Sequence, residues 1–377
     1  MRVLHCITGL TGDGAQRVLL RLAESMSALG IQSSVVSLGA PTDLIPMFNK
    51  AGVPVFSLDI EPNVWGMMVG IRQLKKFVLE VQPDVIQGWM YHANLIATLS
   101  RMTDKCSVPV LWNIRRGLDD YDERRLKTRC VIRSNAVLSS RARVIIYCSS
   151  ESRTQHEQFG FRSGSGVVIG NGFDTERFRP RAELRAEFRK RYGIADDEVI
   201  IGNIGRYDLA KGHAYLVEAF SRLLILKPRA RLVLVGRGVD SSNEEMLSML
   251  HAHGCRERVL LLGEQTNIET IHPAFDLYCS SSISEGFPNA LSEAMACGVV
   301  CVTTDTGASK RLVTGIGRVV PPRSAHLLAE ALLAAIDDGA EIRHVAAERG
   351  RQRILSSFTM GSVARQYGEL YESVVSL

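Results

Sequence analysis

Two carboxylates eight positions apart, Glu285 and Glu293 in SSISEGFPNALSEAMACG (281–298), are the strongest chemical signal in this chain. The apolar run FDLYCS just before them predicts a strand, so Glu285 falls in the following loop. Pro288 suits the first turn of a helix. Glu293 then lies about one turn inside that helix, with Ala294, Met295 and Ala296 packing behind it. Both carboxylates can face one pocket, and the backbone between Phe287, Pro288, Asn289 and Ala290 brings helix N-terminal N–H groups toward a phosphate. A carboxylate suits sugar and ribose hydroxyls because each oxygen accepts more than one hydrogen bond. The plainer reading is an exposed glutamate complementing a helix dipole.

Two cations stand in IGRYDLAKGHAYLVEAF (204–220). Arg206 follows a predicted strand and Lys211 begins a predicted helix, a pair able to clamp a diphosphate through charge-assisted bonds. The alternative is a solvated arginine and lysine in an ordinary loop. Near the N-terminus, GLTGDGAQR (9–17) places Gly9, Gly12 and Gly14 between a strand and a helix. There a backbone can approach an anion closely, or simply turn tightly. Its G-x-x-G-x-G spacing is not the dinucleotide fingerprint, and the second strand ends in Leu38-Gly39 without an acidic residue for a ribose. A nicotinamide dehydrogenase is therefore a distant reading.

The elements that position these loops alternate. Short β-branched runs at 3–7, 33–38, 53–58, 84–88, 108–113 and 143–149 are interleaved with helical patterns. The alternation pauses near VVIGNGFDTERFRP (167–180), passes a charged helix, and restarts at 198–205. Further strands are expected at 231–236, 258–263, 275–280, 299–304 and 317–320. This predicts α/β architecture: two doubly wound Rossmann-like domains facing across a cleft, each a parallel sheet covered by helices. Ligands of such sheets bind beyond the carboxyl ends of the strands, where all three loops lie.

Length and composition agree. The chain has 377 residues, 46% of them apolar, enough for two cores. A net charge of +5 gives no reason to expect a nucleic-acid partner. The eight cysteines form no C-x-x-C pair and are expected as buried thiols; neither a metal site nor a cofactor is expected. No apolar run is long enough to span a bilayer, and MRVLHCITGL does not read as a signal peptide, so a cytoplasmic location is expected. Two basic runs, Arg115–Arg143 and Arg177–Arg191, are either solvated helix faces or surfaces for anionic lipid on the inner face of a membrane.

Together the loops resemble the retaining glycosyltransferases of family 4, which have the GT-B fold. SSISEGFPNALSEAMACG resembles the family's E-x7-E motif, NIGRYDLAKG its G-R-x-x-x-x-K-G loop, and GLTGDGAQRVLL its N-terminal glycine loop. NGFDTERFRP resembles the interdomain segment, and LVLVGRG (232–238) and TDTGASKRLV (304–313) sit where the family has comparable loops. The resemblance implies that Arg206 and Lys211 bind a donor diphosphate, Glu293 the ribose hydroxyls and Glu285 the donor sugar. It also implies that Gly14 approaches the phosphate or reacting centre through its backbone, and that His92 in QGWMYHANL faces the donor sugar. A packed or capping histidine is the alternative for His92; Trp89 and Tyr91 beside it read as core or rim. NIRRG (113–117) is an acceptor contact or a solvated loop. Gln16 stands where many members have glutamate.

The implied activity is retaining, metal-independent transfer of a sugar from a nucleotide-diphosphate donor to a glycan or lipid-linked acceptor. Residues 1–175 would form the acceptor-side domain, 176–360 the nucleotide-sugar domain, and 361–377 a helix crossing back to the first, with a hinge near Gly172. A nucleotide-sugar epimerase, a phosphorylase or a non-catalytic nucleotide-sugar-binding protein would share the architecture.

Overall fold

The computed structural model describes residues 1–11, 14–42, 44–61, 63–102 and 108–376. Gly12 and Cys106 therefore lie outside the described residues. The chain forms two compact units: Met1–Gly172 with Met360–Leu377, and Phe173–Thr359.

Unit 1 begins with β1 (Arg2–Ile7), α1 (Gly14–Ser27), β2 (Gln32–Ser37), α2 (Ile45–Lys50) and β3 (Val55–Ser57). It continues through α3 (Val64–Val81), β4 (Val85–Trp89), α4 (Met90–Arg101), β5 (Val110–Ile114) and α5 (Leu126–Leu138). β6 (Val144–Tyr147), α6 (Ser150–Phe159) and β7 (Gly166–Val168) follow. The seven strands pair in parallel in the order β3-β2-β1-β4-β5-β6-β7. Central strands such as β4 and β5 are buried along their whole length, as strands covered on both faces must be.

Unit 2 begins with α7 (Ala182–Tyr192), β8 (Ile200–Ile204), α8 (His213–Leu226), β9 (Arg231–Val235), α9 (Glu244–Ala252) and β10 (Val259–Leu261). Then come β11 (Leu277–Ser280), α10 (Asn289–Ala296), β12 (Val300–Thr304), α11 (Ser309–Val313) and β13 (Arg318–Val320). α12 (Ala325–Asp337) and α13 (Ala340–Ser357) close it. Its six strands are again all parallel, ordered β10-β9-β8-β11-β12-β13. Both sheets are thus doubly wound and Rossmann-like.

The last helix, α14 (Met360–Val375), belongs to unit 1. Val363, Ala364, Tyr367 and Tyr371 of its apolar stripe join Val18, Leu19 and Leu22 of α1 in one core on one sheet face. α3, α4 and α5 cover the other face, over Leu4, Ile86, Trp112 and Ile145. The chain leaves unit 1 at Gly172, where a Cβ would meet Met360 Cα at 2.9 Å, so only glycine fits.

Three differences from the sequence reading have simple causes. The pause near 167 contains β7, a strand too short to show a period. Cys130 is exposed, because it occupies the outer face of α5; the other six described cysteines are buried and unpaired. The basic run at 177–191 is not a bare solvated face. Arg185 and the buried Arg189 share Asp276 at 2.6 and 2.9 Å, and Arg177 meets Glu269 at 2.9 Å, so these cations pin α7 to its own unit.

Candidate active site

Each sheet reverses its strand order once: between β1 and β4 in unit 1, and between β8 and β11 in unit 2. At such a switch point adjacent strands send their connections to opposite faces and leave a crevice at their carboxyl ends. The glycine loop, the turn before His92, the loop of Arg206 and Lys211 and the loop of Glu285 leave these four strands.

In unit 2 the loop after β8 enters a single 3-10 turn, Leu209–Lys211, before α8. Asp208 caps that turn, accepting from Ala210 N at 2.9 Å, and its other oxygen accepts from Arg206 Nε at 3.2 Å. The stem of Lys211 runs across Gly205, and its ammonium meets Glu285 Oε1 at 2.5 Å. Lys211 and Glu285 are thus brought together from the two switch-point strands, with side chains only 28% and 13% exposed. The same Glu285 oxygen accepts from Ser282 Oγ at 2.7 Å. Neither a solvated loop lysine nor a dipole-complementing glutamate describes this pair.

The backbone around it is tightly buttressed. Ser281 Oγ donates to Lys211 O at 2.9 Å, and Ile283 N to Ala210 O at 2.7 Å. Gly212 adopts φ +63° and presses on the Ser281 carbonyl, leaving no room for a side chain. Thr304 Oγ1 donates to Ser282 O at 2.6 Å, and Gly307 of TDTGASKRLV lies 2.6 Å, at its missing Cβ, from the carbonyls of Glu285 and Gly286. LVLVGRG backs the other loop, Arg237 O accepting from Tyr207 N at 2.8 Å. These supporting roles of Asp208, Ser281, Ser282 and Thr304 escape sequence reasoning; the serine run after an apolar strand is the only local signal of them.

Glu293 is 4% exposed on α10. Its carboxylate lies 3.8 Å from His272 Nε2. Pro288 is the N-cap of α10 rather than a first-turn residue, since its ψ of 91° is extended and the helix starts at Asn289. Phe287 is buried between Phe173 and Phe358, at ring separations of 6.1 and 5.5 Å, while Asn289 and Ala290 are half-buried at the helix start. His213, two residues after Lys211, is buried; burial first, and the Lys211 charge second, lower its pKa to about 4.

In unit 1, β1 and β4 pair up to Ile7 and Trp89, so the glycine loop and the start of α4 are neighbours. Gly14 is the exposed first residue of α1, and Gln16 Oε1 is buried without a hydrogen-bond partner among the described residues. Trp89 and Tyr91 are core. Met90 holds φ +68°, a left-handed conformation costly for a residue with a side chain, and Gly88 lets the turn close, since a Cβ there would lie 2.5 Å from Asn94 Oδ1. The strained turn lifts His92 to an exposed position in the first turn of α4, though enough protein surrounds the ring to lower its pKa. It is neither a packed nor a capping histidine. NIRRG is neither solvated nor open: Arg115 binds Ile169 O at 2.9 Å and Tyr367 Oη at 3.1 Å and also bonds Asn171, while Arg116 pairs with Asp120 at 2.5 Å.

A family model described as glycosyl transferases group 1 matches residues 185–353, and one described as glycosyl transferase 4-like domain matches residues 13–172. The chain is 31% identical over 216 residues to the lipopolysaccharide core biosynthesis mannosyltransferase LpsB of Rhizobium meliloti, covering 55% of this chain and 61% of that protein. It is 26% identical over 385 residues to the phosphatidyl-myo-inositol mannosyltransferase of Mycolicibacterium smegmatis, covering 96% and 90%. The crystal structure of Anabaena HepE in complex with UDP-glucose shares the fold, with a TM-score of 0.86 at 21% identity over 99% of this chain and 100% of that one.

Proposed function

Since this chain belongs to the family-4-like glycosyltransferases of GT-B fold, we propose that it transfers a sugar, with retention and without a metal, from a nucleotide-diphosphate donor to a glycan or lipid-linked acceptor. The observation that carries the reading is the Lys211–Glu285 pair at the switch point of unit 2, with Arg206 on the same loop and Glu293 buried on the helix that follows. The relatives act in lipopolysaccharide core and phosphatidyl-inositol glycosylation, which supports the acceptor class.

Departure of the nucleoside diphosphate builds negative charge on its β-phosphate and positive character at the anomeric carbon. Lys211 and Arg206 oppose the first, in a loop held rigid before the reaction by Asp208 and Ser281. Phe287, Pro288, Asn289 and Ala290 bring the start of α10 to the phosphates. Glu285 gives up Lys211 to the diphosphate and accepts from the donor sugar, while Ser282 retains its hold on the carboxylate. Glu293 accepts from the ribose. Of unit 1, His92 is assigned to the sugar, and the Gly14 backbone to the phosphate or the reacting centre. Residues 1–175 serve the acceptor and 176–360 the nucleotide sugar, with 361–377 returning to the first. The exposed cations Arg125, Lys127, Arg133, Arg141 and Arg143, interspersed with exposed Leu126 and Val137, offer an anionic lipid surface a place to bind.

The test is a thermal-shift screen against UDP, GDP and ADP sugars, followed by proton NMR of the product. Retention predicts a product whose anomeric configuration matches the donor's, with turnover unchanged by chelators. An inverted product, or loss of turnover on chelation, contradicts the mechanism. Conversion of the donor without acceptor would instead indicate an epimerase.

A further inference from the structure

We propose that His272 is a positioning residue for Glu293, holding the rear of that carboxylate while its front binds the ribose; the inference rests on the ribose role given to Glu293 above. His272 lies in the 3-10 turn His272–Ala274 and is fully buried. Neither ring nitrogen has a hydrogen-bond partner among the described residues. Leaving buried polar atoms unpaired is costly, and an aromatic box alone would be filled better by a phenylalanine. The rings of Phe178, Phe275 and Tyr278 surround the imidazole at 6.0, 5.9 and 5.8 Å and restrict it to small movements.

Glu293 Oε2 lies 3.8 Å from Nε2. That is about 0.8 Å longer than a hydrogen bond, a gap that a small rotation of either side chain closes. With its proton on Nε2, the ring donates to Oε2, and a carboxylate accepts more than this one hydrogen bond. The arrangement resembles the outer support that fixes a ligating side chain in one rotamer.

The experiment compares UDP, GDP and ADP with their 2′,3′-dideoxy counterparts, by calorimetric binding to the whole protein. The tightest-binding base serves for the parent, Glu293→Gln, His272→Phe and His272→Gln. The parent should prefer the ribose form. His272→Phe should reduce that preference about 5- to 20-fold, less than the full loss of a hydrogen bond to a charged group because His272 acts through Glu293, and leave dideoxy affinity unchanged. His272→Gln keeps a donor and should retain more of the preference, which a purely structural role would not produce. If His272→Phe is too unstable to measure, the same comparison on His272→Gln and His272→Leu decides. Parent-like preference in the His272 variants, with Glu293→Gln impaired, overturns the inference and leaves the ribose role standing. Equal loss of both nucleotides also overturns it. Parent-like preference in Glu293→Gln overturns the ribose role and this inference together.

Discussion

Replacing Lys211 with alanine tests the charge argument at its centre. In the unliganded protein the substitution removes a 2.5 Å ion pair whose members are 28% and 13% exposed. An exposed pair contributes about 0–1 kcal/mol and breaking a buried one costs about 3–5 kcal/mol. Partial solvent screening places this pair toward the lower end, and Ser282 still serves the orphaned Glu285 oxygen at 2.7 Å. A stability loss of about 1–2 kcal/mol is expected, or roughly 2–8 °C in Tm for a unit of this size. The catalytic loss should be larger, because the ammonium faces charge that grows as the sugar leaves. Losing one preorganised donor to such charge costs about 2–4 kcal/mol, a fall of about 30- to 1,000-fold in kcat/KM. The assay follows nucleoside diphosphate release with the donor selected by thermal shift, well below the melting temperature of the variant, with nucleotide affinity measured alongside. If the variant stays folded and keeps kcat/KM within threefold of the parent, Lys211 does not contact the diphosphate and the reasoning fails.

Glu285→Gln removes the competing carboxylate and should bind free nucleoside diphosphate as tightly as the parent or tighter, yet transfer sugar at least tenfold more slowly; calorimetry and initial rates check both. Glu293→Gln should raise KM for the donor about tenfold with little change in kcat, since ribose hydroxyls do not change during transfer, and steady-state kinetics decide this. His213 has its pKa lowered to about 4 by burial and by Lys211. Below its ordinary value of about 6.5 the unfolded chain takes up a proton that the folded chain refuses, so stability is full above that pH and declines as pH falls toward 4, by about 3 kcal/mol. Urea titrations should show His213→Phe flattening that decline relative to the parent. Pelleting with anionic vesicles at low salt should fall sharply as salt rises, and binding that persists unchanged in high salt would exclude the cations of α5 as its cause.

Much of the fold was legible because parallel sheets covered on both faces need continuous apolar strands, and β1, β4, β5 and β8 supply them. β7 was not, because three half-buried residues carry no period. Loops with charged or glycine residues directly after strands announced themselves, and Lys211 and Glu285 do meet. What supports them did not. Ser282 and Thr304 act through a single hydroxyl each, and His272 lies well before Glu293 in the chain, so neither spacing nor composition connects them. The solvated reading of the basic runs does not hold for every cation in them, for a related reason. A formal charge count cannot see that Arg189 is buried against Asp276, or that Arg115 is spent on Asn171 and Tyr367.

The Lys211–Glu285 pair also explains how one loop can be strongly cationic without being poorly stable. A partly buried ammonium facing an empty phosphate site would lose hydration with nothing in return. Glu285 supplies the missing charge, at a distance and burial that keep the lysine side chain extended toward β11. On the proposed donor role, a diphosphate would have to outcompete a carboxylate already in place. It could do so because it carries more charge and more acceptor oxygens, and because Arg206 on the same loop adds a second cation. A singly charged anion such as acetate or chloride has no comparable advantage over Glu285. On that proposal, selectivity for a diphosphate would follow from the counter-ion as much as from the cations, and the displaced carboxylate would become available to a sugar hydroxyl when the donor arrives.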